Sequence, residues 1–244
     1  MLIYGINPVA EALRAGRVEA IRIAHRGDAR LGALIDDARN AGVEVQRVEV
    51  AELERAARGG THQGVVARLR DQKATSIEEL VRAASGPPLL VVLDGIEDPH
   101  NLGAILRTVD AAGAGGVVRQ SRHAAPLGGA AAKASAGAVA HVRVAEVVNI
   151  ARALEALKEA GVWTVGLAGD APKRYDQVDY MVPTAFVVGA EGAGLRRLVR
   201  ERCDWLVSIP MAGHVGSLNV AVATGIALFE AVRQRRTGFS PAGR

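Results

Sequence analysis

Residues 89–108 read LLVVLDGIEDPHNLGAILRT, and this stretch decides the fold class. It opens with five consecutive apolar residues, continues through a polar loop that contains Asp94 and Gly95, and ends in a segment whose apolar residues have helical spacing. Because the apolar run does not alternate with polar residues, it predicts a strand buried on both faces. Such strands are typical of parallel sheets that are covered by helices.

The same alternation of apolar strands and helical segments continues toward the end of the chain. A last long helix is predicted through Arg233, and the further strands are predicted near residues 116–118, 141–144, 163–169, 186–189 and 205–210. We therefore assign residues 89–244 to one α/β domain built on a parallel sheet.

A smaller α/β unit comes before this domain. Its predicted strands are residues 18–24, 43–48 and 64–69, and its helices follow Asn7-Pro8 and cover residues 31–41 and 51–57. A polar stretch then interrupts the pattern, and Ser76 with Glu79 is typical of a helix-capping box. We predict an N-terminal domain at residues 1–72, a linker at 73–88 and the main domain at 89–244.

Composition narrows the class of protein. Of 244 residues, 49% are hydrophobic and one is a cysteine, which favours a globular chain and excludes an internal disulfide framework. Apolar runs are far shorter than the roughly 20 residues that span a bilayer, and the start lacks a signal-peptide pattern. We expect a cytoplasmic protein without membrane contact. The six histidines lack ligand-like spacing, so no metal site is expected.

The positive charge lies at the end of the chain. The net charge of +4 equals the four arginines from Arg233 onward, where no acidic residue occurs. Such a tail is either solvated or in contact with nucleic acid. Aromatic residues make up only 3%, too few for base-stacking platforms, so any RNA binding should depend on shape and charge.

The loop and helix after the first apolar strand contain Asn101, Gly103 and Arg107. Ligands in open α/β sheets gather at the carboxyl ends of strands. Asn101 stands where a helix N-cap is expected. Arg107 follows Gly103 by four residues, so its side chain has a clear path toward the loop, where a guanidinium suits a phosphate or carboxylate. The alternative is an ordinary surface arginine.

A second loop, VGAEGAGL at residues 188–195, places Gly189 and Glu191 after a buried strand. Its glycines either let a ligand approach the backbone or form a tight turn. Glu191 among them requires a cation or a hydrogen-bond donor. The glycine spacing is not G-x-G-x-x-G and lies late in the chain, which disfavours a nicotinamide-dependent oxidoreductase. The sequence also lacks the G-x-S-x-G of α/β-hydrolases.

A third loop, IPMAGHVGSLNV at residues 209–220, runs into the last helix. It is apolar except for Ser217 and Asn219, which is typical of a small cofactor pocket. Ser217 is a candidate helix cap, and Asn219 lies near the first turn, where its amide reaches a ligand held by the loop. Within the helix, we expect Val222, Ile226 and Phe229 to face the core.

At these three loops the sequence resembles the SpoU branch of the SPOUT methyltransferases. The three family motifs occur in order, as N-x-G-x-x-x-R-T from Asn101, V-G-x-E-x-x-G-L from Val188, and I-P-M with S-L-N-V from Ile209. The N-terminal residues 4–9 and 61–65 resemble the substrate-binding domain of members that methylate a guanosine 2′-oxygen in large-subunit rRNA. The resemblance therefore covers nearly the whole chain.

The resemblance implies more than the periodicity does. It implies a deep trefoil knot in the C-terminal domain, a homodimer formed through that knotted domain, and an N-terminal domain with a ribosomal-protein-like fold that grips RNA. It also implies S-adenosylmethionine as cofactor. The expected cofactor-binding residues are Gly189, Ile209, Met211, Leu218 and Val220.

For catalysis, the resemblance points to Asn101, Arg107, Glu191, Ser217 and Asn219. Because a guanidinium stays protonated in proteins, we expect Arg107 to orient the target phosphate and stabilise a developing alkoxide, with Glu191 fixing Arg107 or a neighbouring group. The expected substrate is large-subunit (23S) rRNA. A tRNA ribose methyltransferase and a non-catalytic RNA-binding or ribosome-assembly factor are the alternatives. One departure is Ala140, where the family commonly has glutamate, and it leaves the exact target and the local interface open.

Overall fold

The structure is a computed structural model that describes residues 1–25, 29–70 and 74–238. The chain forms two compact units, and neither unit is continuous in sequence. The first unit comprises residues 1–73, 99–107 and 125–141, and the second comprises 74–98, 108–124 and 142–244. Among the described residues, no helix is long and apolar enough to cross a membrane.

The second unit is built on a seven-stranded sheet in which every pairing is parallel. The prediction of a parallel sheet is thus confirmed. Its strands, in sheet order, are β7 (Val144–Val147), β6 (Gly116–Gln120), β5 (Leu89–Asp94), β10 (Thr184–Gly189), β8 (Trp163–Leu167), β11 (Trp205–Ser208) and β9 (Lys173–Arg174).

Strand β5 is central because all six of its residues are buried. Leu90 and Val92 on one of its faces pack in a core with Leu154 of helix α7 (Ile150–Glu159). Helix α4 (Ile77–Arg82) adds Leu80 to this core. The predicted capping box of α4 is present, since the Ser76 hydroxyl accepts from the Glu79 N–H at 3.2 Å. The second unit also contains α8 (Arg197–Arg202) and α9 (Val220–Thr237), whereas α5 (Pro99–Ala111) begins in the first unit and ends in the second.

The first unit contains a four-stranded mixed sheet in the order β1 (Leu2–Tyr4), β4 (Val65–Leu69), β2 (Val18–Ala24) and β3 (Glu44–Val48). The helices α1 (Ile6–Arg14), α2 (Ala29–Asn40) and α3 (Val50–Ala57) connect these strands. Three strands were predicted. The fourth, β1, is only three residues long, too short to show periodicity. Helix α6 (Ala130–Ala134) also belongs to this unit.

Helix α9 buries a different face from the predicted one. Val222 and Phe229 are exposed, at 51% and 49%, and Ile226 is half-buried, so the prediction that they face the core is wrong. The buried side is made by Thr224, Leu228 and other residues between Val220 and Gln234. Strand β7 begins at Val144, later than predicted, and residues 138–140 ahead of it form a 3-10 helix.

Part of the basic tail is structural. The guanidinium of Arg235 donates to four backbone carbonyls, those of Pro87 at 2.7 Å, Tyr180 at 2.8 Å, Val182 at 2.9 Å and Pro88 at 3.1 Å. Arg235 is therefore neither a solvated residue nor available for nucleic acid. Residues 239–244, including Arg244, lie outside the described part.

Replacing Arg235 by alanine should lower the free energy of unfolding by about 2–4 kcal/mol, because four carbonyls lose a charged donor. Lysine should restore less than half of this loss, since its ammonium cannot reproduce the fork. Urea unfolding measures both values. Arg236→Ala, which removes an exposed arginine, is the matched control and should change stability by less than about 0.5 kcal/mol. An equal effect of the two alanine variants would contradict the structural role.

The single cysteine, Cys203, has a half-buried thiol that packs against the core. Burial, together with the charge of Asp204, raises the pKa of Cys203 from 9.0 to about 12. The folded chain favours the neutral thiol, so the thiol's contribution to the free energy of unfolding is complete below pH 9. This contribution is lost as the pH rises through about 12.

We expect native Cys203 to react with a disulfide reagent at pH 8 at least about 100-fold more slowly than the urea-unfolded chain, since the thiolate is the reactive form. The midpoint of urea unfolding should also fall between pH 9 and 11, and Cys203→Ala should reduce this pH dependence. Rapid labelling of the native protein would show that the thiol is accessible.

Candidate functional site

A cavity of about 560 Å³ lies in the second unit beside the carboxyl ends of β8, β10 and β11. Its volume is in the range of small-molecule sites, and its place at the strand ends is where open α/β sheets bind ligands. Eight of the ten predicted site residues line it: Gly189, Glu191, Ile209, Met211, Ser217, Leu218, Asn219 and Val220.

The glycine loop forms one wall of this cavity. The Gly194 N–H donates to the Ala190 carbonyl at 2.8 Å, which folds residues 190–194 into a tight turn against the end of β10. A Cβ atom on Gly189 would lie only 2.1 Å from the carbonyl carbon of Gly194. Gly189 therefore lets two stretches of backbone touch, so the tight-turn explanation of this glycine holds and the turn itself shapes the cavity.

Glu191 and Asn219 are joined across the cavity lining. The Asn219 Nδ2 donates to Glu191 Oε1 at 2.7 Å, which supplies the donor that Glu191 was expected to need. The Asn219 Oδ1 accepts from the Ala221 N–H at 2.9 Å, so Asn219 is the N-cap of α9. The interpretation of Ser217 as the cap is therefore wrong.

An ion pair that the sequence analysis did not single out fixes the end of β5. The side chain of Asp94, 1% exposed, accepts from the backbone N–H of Arg196 at 2.8 Å and from its Nε at 2.7 Å. This contact holds the chain just after the glycine loop. The signal in the sequence was an acidic residue at the end of a wholly apolar strand.

A second pair was also missed. Asp170 and Arg200 both line the cavity, and the guanidinium donates to the two carboxylate oxygens at 2.8 and 3.0 Å. The bidentate bond lowers the pKa of Asp170, so the carboxylate stays charged at neutral pH. The two residues are 30 positions apart in sequence, with no motif to link them.

Asn101 and Arg107 lie on α5, in the first unit, and are not among the cavity-lining residues. Helix α5 begins at Pro99, so Asn101 is its third residue and the N-cap interpretation is wrong. Proline is favoured at this first helical position because its missing N–H has no helical partner there. Asn101 is buried, at 8% exposure, whereas Arg107 is exposed.

Gly103 has a different role from the predicted one. A Cβ atom here would lie 2.5 Å from the Ala134 Cβ and 2.6 Å from the Ala131 carbonyl oxygen. The space beside Gly103 is thus filled by α6, and the glycine allows α5 and α6 to pack in contact. Among the residues that the structure describes, no group of three or more His, Cys, Asp or Glu side chains is placed to hold a metal ion.

Comparison with known proteins identifies the family to which this chain belongs. The model of the SpoU rRNA Methylase family matches residues 88–229, which is more than half of the chain. The chain belongs to this family. A second model, described as the substrate-binding domain of RNA 2′-O ribose methyltransferases, matches residues 2–74. This SpoU methylase is therefore an RNA 2′-O-methyltransferase.

Two of the relatives named here cover nearly the whole length of this SpoU methylase, and a third covers about two thirds of it. The 23S rRNA (guanosine-2′-O-)-methyltransferase RlmB of Pseudomonas syringae is 46% identical over 98% of both chains. The SpoU methyltransferase AviRb of Streptomyces viridochromogenes, solved in complex with AdoMet, has a TM-score of 0.81 and 28% identity and covers 98% of this chain and 91% of its own. The TrmH/SpoU tRNA modifying enzyme of A. aeolicus covers only 62% of this chain and 77% of its own, with a TM-score of 0.56 and 32% identity.

Proposed function

We propose that the protein methylates the 2′-oxygen of a guanosine ribose in 23S rRNA, with S-adenosylmethionine as the methyl donor. The observation that carries this proposal is the 46% identity to a 23S rRNA guanosine methyltransferase across 98% of both chains. This range includes the N-terminal substrate-binding segment as well as all ten candidate site residues. The location that fits this substrate is the cytoplasm.

The cavity fits the cofactor. Its volume is adequate for a small cofactor, and its lining joins apolar residues such as Leu218 and Val220 to the closely packed backbone of the glycine loop. We assign the adenosine to Gly189, Ile209, Met211, Leu218 and Val220. The bound cofactor supplies an activated methyl group on sulfonium with a neutral leaving group.

The residues of the chain then have to prepare the ribose. The 2′-hydroxyl is a weak acid, so its oxygen must be aligned and its developing negative charge stabilised. Arg107 is exposed and always charged, and we assign it to the target phosphate and the alkoxide. The hydrogen bond that Asn219 donates to Glu191 fixes the asparagine amide. We assign Asn219 and Ser217 to positioning of the ribose. We assign Asn101 to the support of Arg107.

The finer features of the architecture belong to the same proposal. Family membership supports a trefoil knot in the domain that we place at residues 89–244. The exposed Val222 and Phe229 on α9 support a homodimer, because these apolar side chains suit burial against a second copy. The bounds of the two family models, 2–74 and 88–229, support domain limits at 1–72 and 89–244. For the first domain we propose a ribosomal-protein-like fold that grips RNA, and its mixed four-stranded sheet and the substrate-binding description of its family model support this proposal.

Two alternatives remain distinguishable. The tRNA modifying enzyme named above covers only 62% of this chain, and the substrate-binding segment favours rRNA over tRNA. The presence of Arg107, Glu191 and Asn219 together disfavours a non-catalytic binding factor. No metal takes part in the proposed reaction.

The test is transfer of labelled methyl from S-adenosylmethionine to unmodified 23S rRNA transcript and to bulk tRNA, followed by mapping of 2′-O-methylated positions. We expect label at one guanosine of 23S rRNA. Transcript already methylated with unlabelled cofactor is the matched control and should accept no further label. Label in tRNA alone would change the substrate, and RNA binding without label would favour the binding factor.

A further inference from the structure

The first unit joins the substrate-binding segment to the helix that carries Arg107. Besides the N-terminal residues 1–73, this unit contains residues 99–107 of α5 and residues 125–141, here called the bridging segment. The bridging segment includes α6 and the 3-10 turn at Ala138–Ala140. It lies 52 or more positions beyond residue 73 in sequence but packs in the same compact body.

Hydrogen bonds connect the bridging segment to the N-terminal residues at both of its ends. Near its start, the Gly129 N–H donates to the Leu2 carbonyl at 3.2 Å. Near its end, Nη1 of Arg17 donates to the Ala140 carbonyl at 3.1 Å. Between them, the ammonium of Lys133 donates to the Thr61 carbonyl at 3.3 Å. All three acceptors are backbone carbonyls. Gly129 donates from its main chain, whereas Arg17 and Lys133 donate from their side chains.

Two glycines show how closely these segments approach. A Cβ atom on Gly128 would lie 2.6 Å from the Leu2 carbonyl oxygen, and one on Gly137 would lie 2.5 Å from the Cβ of Glu11. Contacts this short leave no room for even a methyl group, so a side chain at either position must push the segments apart. The bridging segment is therefore packed directly on β1 and α1.

The other side of the bridging segment supports α5. Gly103 packs just as closely against Ala131 and Ala134 of α6, so no side chain would fit there either. Arg107 follows Gly103 by four residues, about one helical turn. A continuous series of close contacts thus runs from β1 and α1, through the bridging segment, to the turn of α5 before Arg107.

We propose that the N-terminal segment positions Arg107 through the bridging segment, so that RNA held by the N-terminal segment meets the guanidinium at a fixed distance. This inference rests on the proposed function and adds a positioning role for the glycine contacts. Because a displacement of about 1 Å at a reacting centre can cost about 100-fold in rate, a rigid connection matters for the chemical step. A flexible tether at the linker would instead serve only to raise the local concentration of RNA.

The wedge variant Gly128→Leu tests the connection, with Gly86→Leu as the matched control. Gly128 has no positive φ, so leucine there acts by its volume. Gly86 also has no positive φ, a Cβ atom on it meets nothing within 4 Å, and it lies outside the substrate-binding segment. We expect Gly128→Leu to lower kcat for an rRNA fragment about 10- to 100-fold, with KM for RNA changed less than about threefold. Gly86→Leu should behave like the wild type in both constants.

A second variant examines the tether. Inserting Gly-Ser between Ala74 and Thr75 lengthens the connection in sequence and leaves the glycine contacts intact. We expect it to change kcat less than about twofold. A large loss of kcat in the insertion variant, with none in Gly128→Leu, would overturn the proposal in favour of positioning by the linker.

Binding of S-adenosylhomocysteine, measured by calorimetry, separates this inference from the proposed function. Wild type and Gly128→Leu should bind it equally, since the cavity is in the second unit. A wild type that neither binds it nor transfers methyl would refute the proposed function. A wild type that is active, with Gly128→Leu equal to Gly86→Leu or with an effect on KM alone, would refute the positioning role. If thermal unfolding shows that the leucine variant does not fold, Gly128→Ala, with a smaller wedge, and Gly86→Ala replace the pair under the same criteria.

Discussion

Replacing Arg107 by alanine is expected to lower kcat for methyl transfer about 10²- to 10³-fold, the usual cost of removing one preorganised donor from a developing oxyanion. Arg107 is exposed on α5, so its loss should not disturb the core. Binding of S-adenosylhomocysteine and the free energy of unfolding should therefore stay at wild-type values. Single-turnover transfer to 23S rRNA transcript measures the rate of the chemical step.

Two further variants sharpen this prediction. Arg107→Lys keeps the charge and loses the planar fork, so we expect it to recover only part of the rate. Arg152→Ala removes an exposed arginine near the start of α7 and is the matched control, with an expected change of less than twofold. Wild-type rates in Arg107→Ala would exclude the arginine from the reaction and leave Glu191 and Asn219 as the principal candidates.

Replacing Gly189 by alanine is expected to weaken cofactor binding at least about 100-fold. Its Cβ would lie 2.1 Å from the Gly194 carbonyl carbon and 2.4 Å from the Leu195 nitrogen, and both of these atoms are backbone. The turn at residues 190–194 must then open, and the cavity wall moves with it. Calorimetric titration with S-adenosylhomocysteine measures the change.

The matched control for this loop is Gly213→Ala. A Cβ atom on Gly213 meets nothing within 4 Å, and Gly213 has no positive φ, so alanine should be accepted without loss of binding. Thermal unfolding distinguishes local from global damage in Gly189→Ala. If Gly189→Ala bound the cofactor as tightly as Gly213→Ala does, the glycine loop would not shape the cofactor site.

The sequence predicted what depends on local pattern. Unbroken apolar runs such as Leu89–Asp94 indicated the parallel sheet, and the loops after such strands contained eight of the residues that line the cavity. The sequence could not show which face of α9 is buried, because apolar residues occur on every side of that helix. They include Val222 on the exposed side as well as residues beside the buried Thr224. Burial there depends on which face meets the sheet, which is a property of the folded chain.

Contacts between residues far apart in the chain could not be predicted from the sequence either. Asp94 and Arg196 are 102 positions apart, and no local pattern around either residue indicates the other as its partner. The role of Gly103 was misread for the same reason, since α6, which fills the space beside it, lies about 30 positions later. The short strands β1 and β9, of three and two residues, exist through pairing with neighbours and leave no periodic signal.

The clamp made by Arg235 has a consequence for synthesis. It joins the last helix to carbonyls up to 148 positions earlier, and β5 pairs with β10, which is made roughly 95 positions after it. Contacts between such distant parts of a chain form slowly, and a nascent chain cannot form them until both parts have been made. The second unit therefore completes its fold only after translation has passed residue 235, so the enzyme becomes active only once its last helix has been made.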